Sequence, residues 1–386
     1  MKIIDIFAGC GGFSHGFNSE GFQIAAHIDW DEKCVETLKL NYGDSDLTGY
    51  TSKIYKFDME NIKDDFYFGK DSLGRWIEQL GGIDGVIGGP PCQSYSIAGR
   101  IRDPYGMQND YRNYLFESYV NFLTLTNPKY FVFENVPGIL SSQPGGEPIV
   151  EKIFNSFGLI GYQIANINKK HIFNLHDYGA PQIRKRIVIF GVNKYIFGNR
   201  SKSLIEEFYK NLKNQVKPGK TVQDAISDLE IIKPIKCPGK RQSHEYSGSD
   251  VLHIPRYHNK RDRNIFKMLA NDTLTGVNKY KSTESIKQLY LKQVGRVSNV
   301  HKYHVLDWQK PSNLIPAHLH KDGLRHIHPD PNQERSITPR EAARLQTFPD
   351  NYKFYGSRSD IYKMIGNAVA PLFSKKIANA ISNLNL

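Results

Sequence analysis

Gly88-Gly89-Pro90-Pro91-Cys92-Gln93-Ser94 puts a thiol in a setting that suits nucleophilic chemistry. The apolar pair Val86-Ile87, preceded by Gly81-Gly82-Ile83-Asp84, reads as a buried strand entered through a turn. The two prolines end that strand, because neither has an N–H to donate, and they stiffen the backbone that carries Cys92. In an open α/β sheet, chemistry gathers at that edge. The alternative is a Pro-kinked surface turn with an incidental cysteine. Two more groups have matching chemistry. Tyr130-Phe131-Val132-Phe133 leads straight into Glu134, and burial there favours the protonated carboxyl that a general acid needs. Further on, Gln182-Ile183-Arg184-Lys185-Arg186 sets two guanidinium groups on one face of a strand by period two, suited to a carboxylate or phosphate. Solvated charges on an edge strand would account for them equally.

A second group of residues suits a ligand rather than a reaction. Lys2-Ile3-Ile4-Asp5-Ile6-Phe7 reads as a strand, Ala8-Gly9-Cys10-Gly11-Gly12-Phe13 as a glycine turn, and Ser14 onward as a helix. That succession turns backbone N–H groups toward a carboxylate or other anion. It is not the dinucleotide pattern, since Ser14 stands at the third glycine position. Asp29 follows Gly9 by 20 residues, at the end of a second apolar stretch, where an acid accepts from ribose hydroxyls. Trp30 beside it could stack on an adenine or sit in the core. Asp58 ends a third candidate strand and could accept from an exocyclic amine.

The elements that must position these groups alternate as strand and helix, which implies an α/β sheet. Arg100 to Asn113 is polar and without periodicity, and reads as a mobile loop beside Cys92; Tyr114 to Leu125 has helical spacing. Thr338-Pro339-Arg340-Glu341 reads as a capped helix start. The 386 residues are enough for two domains, and four cysteines form no disulfide framework. No apolar run approaches the ~18 residues of a membrane span. A reducing cytoplasm is therefore expected. Of the net charge of +12, residues 193–334 hold +11, with 25 Lys and Arg against 14 Asp and Glu. Such a concentration is the footprint of a polyanionic partner. The pairs His318/His320 and His326/His328 invite a metal reading, but only Cys237 is nearby and the spacing is not finger-like, so no metal is expected.

Six motifs in order give the chain a resemblance to bacterial DNA (cytosine-5)-methyltransferases of the restriction–modification type. They are Asp5 to Phe13, Pro90-Pro91-Cys92-Gln93, Glu134-Asn135-Val136, Gln182 to Arg186, Thr338 to Glu341 with Arg344-Leu345-Gln346, and Gly366-Asn367-Ala368-Val369. The resemblance implies a doubly wound Rossmann-like methyltransferase sheet with a second, smaller, irregular and mostly-β target-recognition domain. The catalytic domain would comprise residues 1–192 plus 357–386, and the recognition domain residues 193–356.

The resemblance further implies that S-adenosyl-L-methionine is the cofactor, lined by Phe7, Gly9, Gly11, Gly12, Phe13 and Pro90. Asp29 would hold the ribose, Trp30 face the adenine, Asp58 take its amine, and Asn367 with Val369 close the methionine end. Cys92 would add to C6 of a flipped-out cytosine, Glu134 would protonate N3, and Arg184 would hold O2 and Glu134, with Arg186 in support. Duplex DNA is the implied partner, with a companion restriction endonuclease as a genetic one; no membrane contact and a monomer near the nucleoid are expected. The chain departs from the family in Asp29, where Glu is common, and in Asn313, where Thr is common. An RNA-acting cytosine methyltransferase, a silent DNA-binding protein and a nicotinamide dehydrogenase are the competing readings. The ~140-residue basic segment, the intact Cys92, Glu134 and Arg184, and Pro90-Pro91-Cys92 respectively speak against them.

Overall fold

The structure is a computed structural model that describes residues 1–43, 49, 51–91, 115–143, 146–237, 239, 241–298 and 303–386. Strands Lys2–Ile6 (β1), Gln23–Asp29 (β2), Lys53–Lys56 (β3), Gly85–Gly88 (β4) and Tyr130–Asn135 (β5) pair in parallel in the order β3-β2-β1-β4-β5. Strands Tyr162–Ile164 (β6), Ile172–Asn174 (β7) and Lys185–Asn193 (β8) extend the sheet; β8 runs antiparallel to β5 and carries β6 and β7 on its other side. The chain leaves β1 toward β2 and returns on its other flank as β4. The crevice beyond the C-terminal ends of β1 and β4 is therefore the switch point where α/β sheets bind ligands.

The strands are apolar on both faces because both faces are covered. Helices Gly12–Asn18 (α1) and Glu32–Tyr42 (α2) follow β1 and β2, and Leu73–Gln79 (α3), Leu115–Thr126 (α4) and Ile149–Leu159 (α5) lie further along. Phe116, Tyr119 and Phe122 of α4 and Phe157 of α5 pack with Phe131 and Phe133 of β5 on one face. Phe13 and Phe17 of α1, with Phe208 and Leu212 of Ser201–Lys213 (α6), pack on the other with Val188 and Phe190 of β8.

The expected recognition segment is not mostly β. Among its described residues, the strands Lys233–Pro234 (β9) and His244–Glu245 (β10) are two residues each, whereas Lys260–Thr275 (α7) and Thr283–Val294 (α8) are full helices. Their ends follow ordinary rules: Asn259 and Ser282 cap the N-termini, and Gly276 and Gly295 close the C-termini at φ 70° and 71°. Dense Lys, Arg and Asn around the short apolar stripe Ile265-Phe266-Leu269 masked that periodicity. Residues on both sides of position 193 share one core, since α6 packs on the sheet.

Three helices complete the chain: Pro339–Leu345 (α9), Arg358–Asn367 (α10) and Pro371–Ser382 (α11). The capping box at Thr338 and Glu341 is formed as the sequence implies. Phe373 and Ile377 of α11 return to the core of α1 and α6.

Candidate active site

A cavity of about 340 Å³ opens at the switch point. Phe7, Gly9, Phe13, Asp29, Trp30, Asp58, Pro90, Glu134, Arg184, Arg186, Asn367 and Val369 all line it. The turn after β1 is bent sharply: Phe7 and Gly9 both take φ 55°. A side chain is rarely held there, so the surroundings must fix Phe7. Asp29 does part of that work, accepting from Gly9 N at 2.8 Å through Oδ2 and from Asp31 N at 2.9 Å through Oδ1. Burial outweighs these bonds and pushes its pKa up to about 6. Trp30 is 62% exposed, so it is a ring on the cavity wall and not a core aromatic. Asp58 lines the floor while its Oδ1 accepts from Glu60 N at 3.1 Å.

Gly11 and Gly12, expected against the cofactor, do not line the cavity. Gly11 sits at φ 81° behind the turn, where a Cβ would meet the Tyr352 hydroxyl and Leu38. A Cβ on Gly12 would overlap the Val369 carbonyl oxygen. Gly11 is glycine because of its positive φ and the side chains packed on it, and Gly12 because the Val369 backbone comes close, which brings the segment 366–369 against α1.

Glu134 and Arg186 form an ion pair on the cavity wall. Arg186 Nε lies 2.7 Å from Glu134 Oε1, and both side chains are nearly buried. Burial raises the Glu134 pKa, and the charges of Arg186 and then Arg184 pull against it. Gly89 leaves room for the carboxylate, since a Cβ there would stand 3.0 Å from Glu134 Oε2. Asn135 Nδ2 donates to Pro90 O at 3.4 Å and ties β5 to the turn that leads to Cys92. Cys92 and the Arg100–Asn113 loop lie outside the described residues.

Arg184 lines the cavity and is also tied into the fold. It precedes β8, is 2% exposed, and donates to Ile315 O at 3.1 Å, Gly366 O at 3.1 Å and Ala368 O at 3.0 Å. Gln182 donates to Leu345 O at 2.9 Å and to the Gln346 side chain, and Gln346 donates to Ala368 O at 2.7 Å. This buried knot holds the cavity segment 366–369 against the stretch around Ile315. Arg186 makes the ion pair with Glu134, and the Arg184 charge acts on the same carboxyl. Period two sets the two side chains on one face only if the strand includes both, and β8 begins at Lys185, so Arg184 lies outside it.

Sequence reasoning passed over the cavity rim of Asp31, Lys33, Asp360 and Lys363. Lys363 Nζ is 3.5 Å from Asp31 Oδ2. Asp360 and Lys363 sit one helical turn apart on α10, a spacing that could have marked them. Among the described residues, no three His, Cys, Asp or Glu side chains are grouped to hold a metal ion. His320, His326 and His328 of the expected pairs bond instead to Ala317 O, Leu314 O and Asp330 N. No helix of the described residues is long and apolar enough to cross a membrane.

The family model of C-5 cytosine-specific DNA methylases matches residues 1–383. The type II methyltransferase M.Bpa9945I of Bacillus paralicheniformis is 31% identical over 453 residues, covering 100% of this chain and 99% of its own. The type II methyltransferase M.DdeI of Desulfomicrobium norvegicum is 31% identical over 425 residues, covering 100% and 90%. A protein of Escherichia coli described as a DNA modification methyltransferase encoded within a prophage has a similar crystal structure, with TM-score 0.64, 25% identity and coverage of 100% and 99%. The Entamoeba histolytica methyltransferase EhMeth shares the fold, with TM-score 0.57, 15% identity and coverage of 99% and 97%.

Proposed function

The chain belongs to the C-5 cytosine-specific DNA methylases, as an enzyme of restriction–modification type, and we propose that it methylates C5 of a flipped-out cytosine in duplex DNA through a covalent Cys92 adduct. The observation that carries this reading is the buried Glu134–Arg186 pair, facing the same cavity as Pro90, Pro91, Asp29 and Trp30.

The cavity suits S-adenosyl-L-methionine. An exposed indole face at Trp30, carboxylates at Asp29 and Asp58, and open space over Gly9 match an adenine, a ribose and a short charged tail. Phe7, Phe13, Pro90, Asn367 and Val369 would complete its walls. When bound, S-adenosyl-L-methionine supplies the electrophilic methyl group that cytosine C5 takes.

C5 of cytosine is a weak nucleophile until something adds at C6. The Cys92 thiolate forms the Sγ–C6 bond, and the ring electron pair moves toward N3 and O2. Glu134, whose pKa burial raises, gives its proton to N3 and removes the developing charge. Arg186 then faces a carboxylate, which it stabilises, and Arg184 and Arg186, both on the cavity wall, are the candidates to hold the substrate O2. Once C5 carries the methyl group, loss of its proton restores the ring and expels the Cys92 thiolate. Because a stacked base cannot be reached this way, the cytosine leaves the helix.

We assign the recognition role to the segment around α7 and α8 and its basic surroundings, and place the enzyme in the cytoplasm as a monomer that protects DNA from a companion endonuclease. The test is methyl transfer from labelled donor to duplex DNA and to tRNA, with bisulfite sequencing of a plasmid that carries the gene. Transfer to duplex DNA with one modified sequence context is expected; transfer only to tRNA overturns the reading. Cys92→Ser should abolish transfer and keep cofactor binding, and an active C92S variant would refute the adduct.

A further inference from the structure

The positive charge of residues 193–334 is not all on the recognition segment. Lys210 and Lys213 lie on the last turns of α6, a helix packed on the catalytic sheet, and Lys217 follows it. All three are exposed, and among the described residues none of them is ion-paired. Lys217 N donates to Asp177 O at 2.9 Å, and Lys217 pairs with Tyr178 in a parallel bridge.

The sheet register shows where this strip stands. Asn135 at the end of β5 pairs with Ile187, and Asn174 at the end of β7 pairs with Lys185, two residues further out. The end of β7 therefore stands at the same sheet edge as Glu134, about two strand spacings or roughly 10 Å to the side, and Tyr178, bridged to Lys217, follows it by four residues. Beside them, His171, Lys210, Lys213 and Asn214 line an open groove of about 440 Å³. Lys169 and Lys170 are exposed just before it. Gln215 donates to Lys376 O at 2.9 Å and brings the half-buried Lys376 of α11 to the same surface.

Acids are sparse here. Glu206 lines the groove, Asp177 is exposed next to Lys217, and Glu20 pairs with Lys375 at 3.4 Å. The cations crowd one another: after burial, Lys217 and Lys375 depress the Lys376 pKa, and Lys213 and Lys170 add to the depression at His171.

We propose that Lys210, Lys213, Lys217 and the neighbouring Lys169–Lys170 form a phosphate-contact strip for the duplex flanking the target base, on the catalytic half and separate from the sequence-reading segment. The proposal rests on the duplex-DNA reading above. A duplex that delivers one base to the Glu134 edge must pass over the adjoining strands, where the strip lies. Lysines on a smooth helical surface contact phosphates without reading bases, so the strip adds affinity and salt dependence but no sequence preference.

The test uses the full chain and a triple variant, Lys210→Ala with Lys213→Ala and Lys217→Ala. Binding is measured against salt on duplexes of about 12 and about 40 base pairs that carry the mapped site. The wild type should bind the longer duplex with a steeper slope of log K against log salt. The variant should lose about 2 to 3 of that slope, at about 0.9 per phosphate contact, and keep the same ratio of specific to scrambled duplex. Unchanged cofactor binding and thermal melting certify its fold. An equal slope in both proteins overturns the strip, as does a loss of selectivity at constant slope. So does a variant that keeps duplex binding but loses affinity for tRNA or for anionic vesicles. If the wild type methylates no duplex at all, the functional reading itself fails, and the methylation assay reports that separately.

Discussion

Two arginines two residues apart have unlike work, and burial separates them. Arg184 donates to three main-chain carbonyls of segments that share no strand, so Arg184→Ala leaves buried acceptors unmet. At ~1–3 kcal/mol for each unmet buried group, the variant should lose on the order of 3 kcal/mol or more, measured by denaturant unfolding. Arg186→Ala should leave stability closer to wild type and act on chemistry instead. It removes the nearer positive charge from Glu134, so the carboxyl pKa rises further. The alkaline limb of the pH–rate profile, where the general acid loses its proton, should move to higher pH while kcat falls. An unmoved limb would separate Glu134 from the proton transfer. Glu134→Gln should lower kcat by about 10²-fold or more in single-turnover methylation.

At the level of elements, close backbone approaches and caps set the positions of these side chains. Gly12→Ala pushes a methyl group into the Val369 carbonyl, so α1 and the segment 366–369 must part. The expected result is weaker cofactor binding by titration with a smaller effect on DNA affinity. Thr338→Ala removes the reciprocal cap of α9 and should cost about 1 kcal/mol of stability. Much of this level is legible in the chain itself, since Pro339 at N1 and Glu341 at N3 spell the start of α9 without help. Helices α7 and α8 were obscured, because only a few of their residues are apolar and the polar ones follow no visible period. The Asn259 and Ser282 caps and the Gly276 and Gly295 stops were nevertheless there to be read.

Over the whole molecule, buried histidines dominate the pH dependence of stability. Desolvation lowers His27, His326 and His328 to about 3 and His244 to about 4, and drives His258 well below its usual value. Each is neutral in the fold and charged when unfolded at pH 5, so its contribution is complete above about 6.5 and is lost as pH falls. Asp5, raised to about 7, Asp29, raised to about 6, and Glu134, also raised, work in the opposite sense, taking up protons in the fold first. The histidines outnumber them. Stability should therefore fall between about pH 6.5 and 5 by on the order of 1 kcal/mol per pH unit for each excess proton, followed by urea midpoints. A midpoint that rises on acidification would contradict that balance.

The amino-acid sequence by itself determined which strand ends meet at the switch-point crevice, because stretches such as Gly89-Pro90-Pro91, Phe133-Glu134 and Ile6-Phe7-Ala8-Gly9 carry their own backbone instructions. It could not separate Arg184 from Arg186, since both are arginines beside one strand and only the tertiary contacts at Ile315, Gly366 and Ala368 take up the first. Nor could it tell that Gly11 faces packed side chains and Gly12 packed backbone while Gly9 faces the cavity, because a glycine carries no side chain to reveal its neighbours. The location of the basic charge was decided the same way. Net charge is a property of composition, but the surface that displays Lys210, Lys213 and Lys217 exists only once α6 has packed on the sheet.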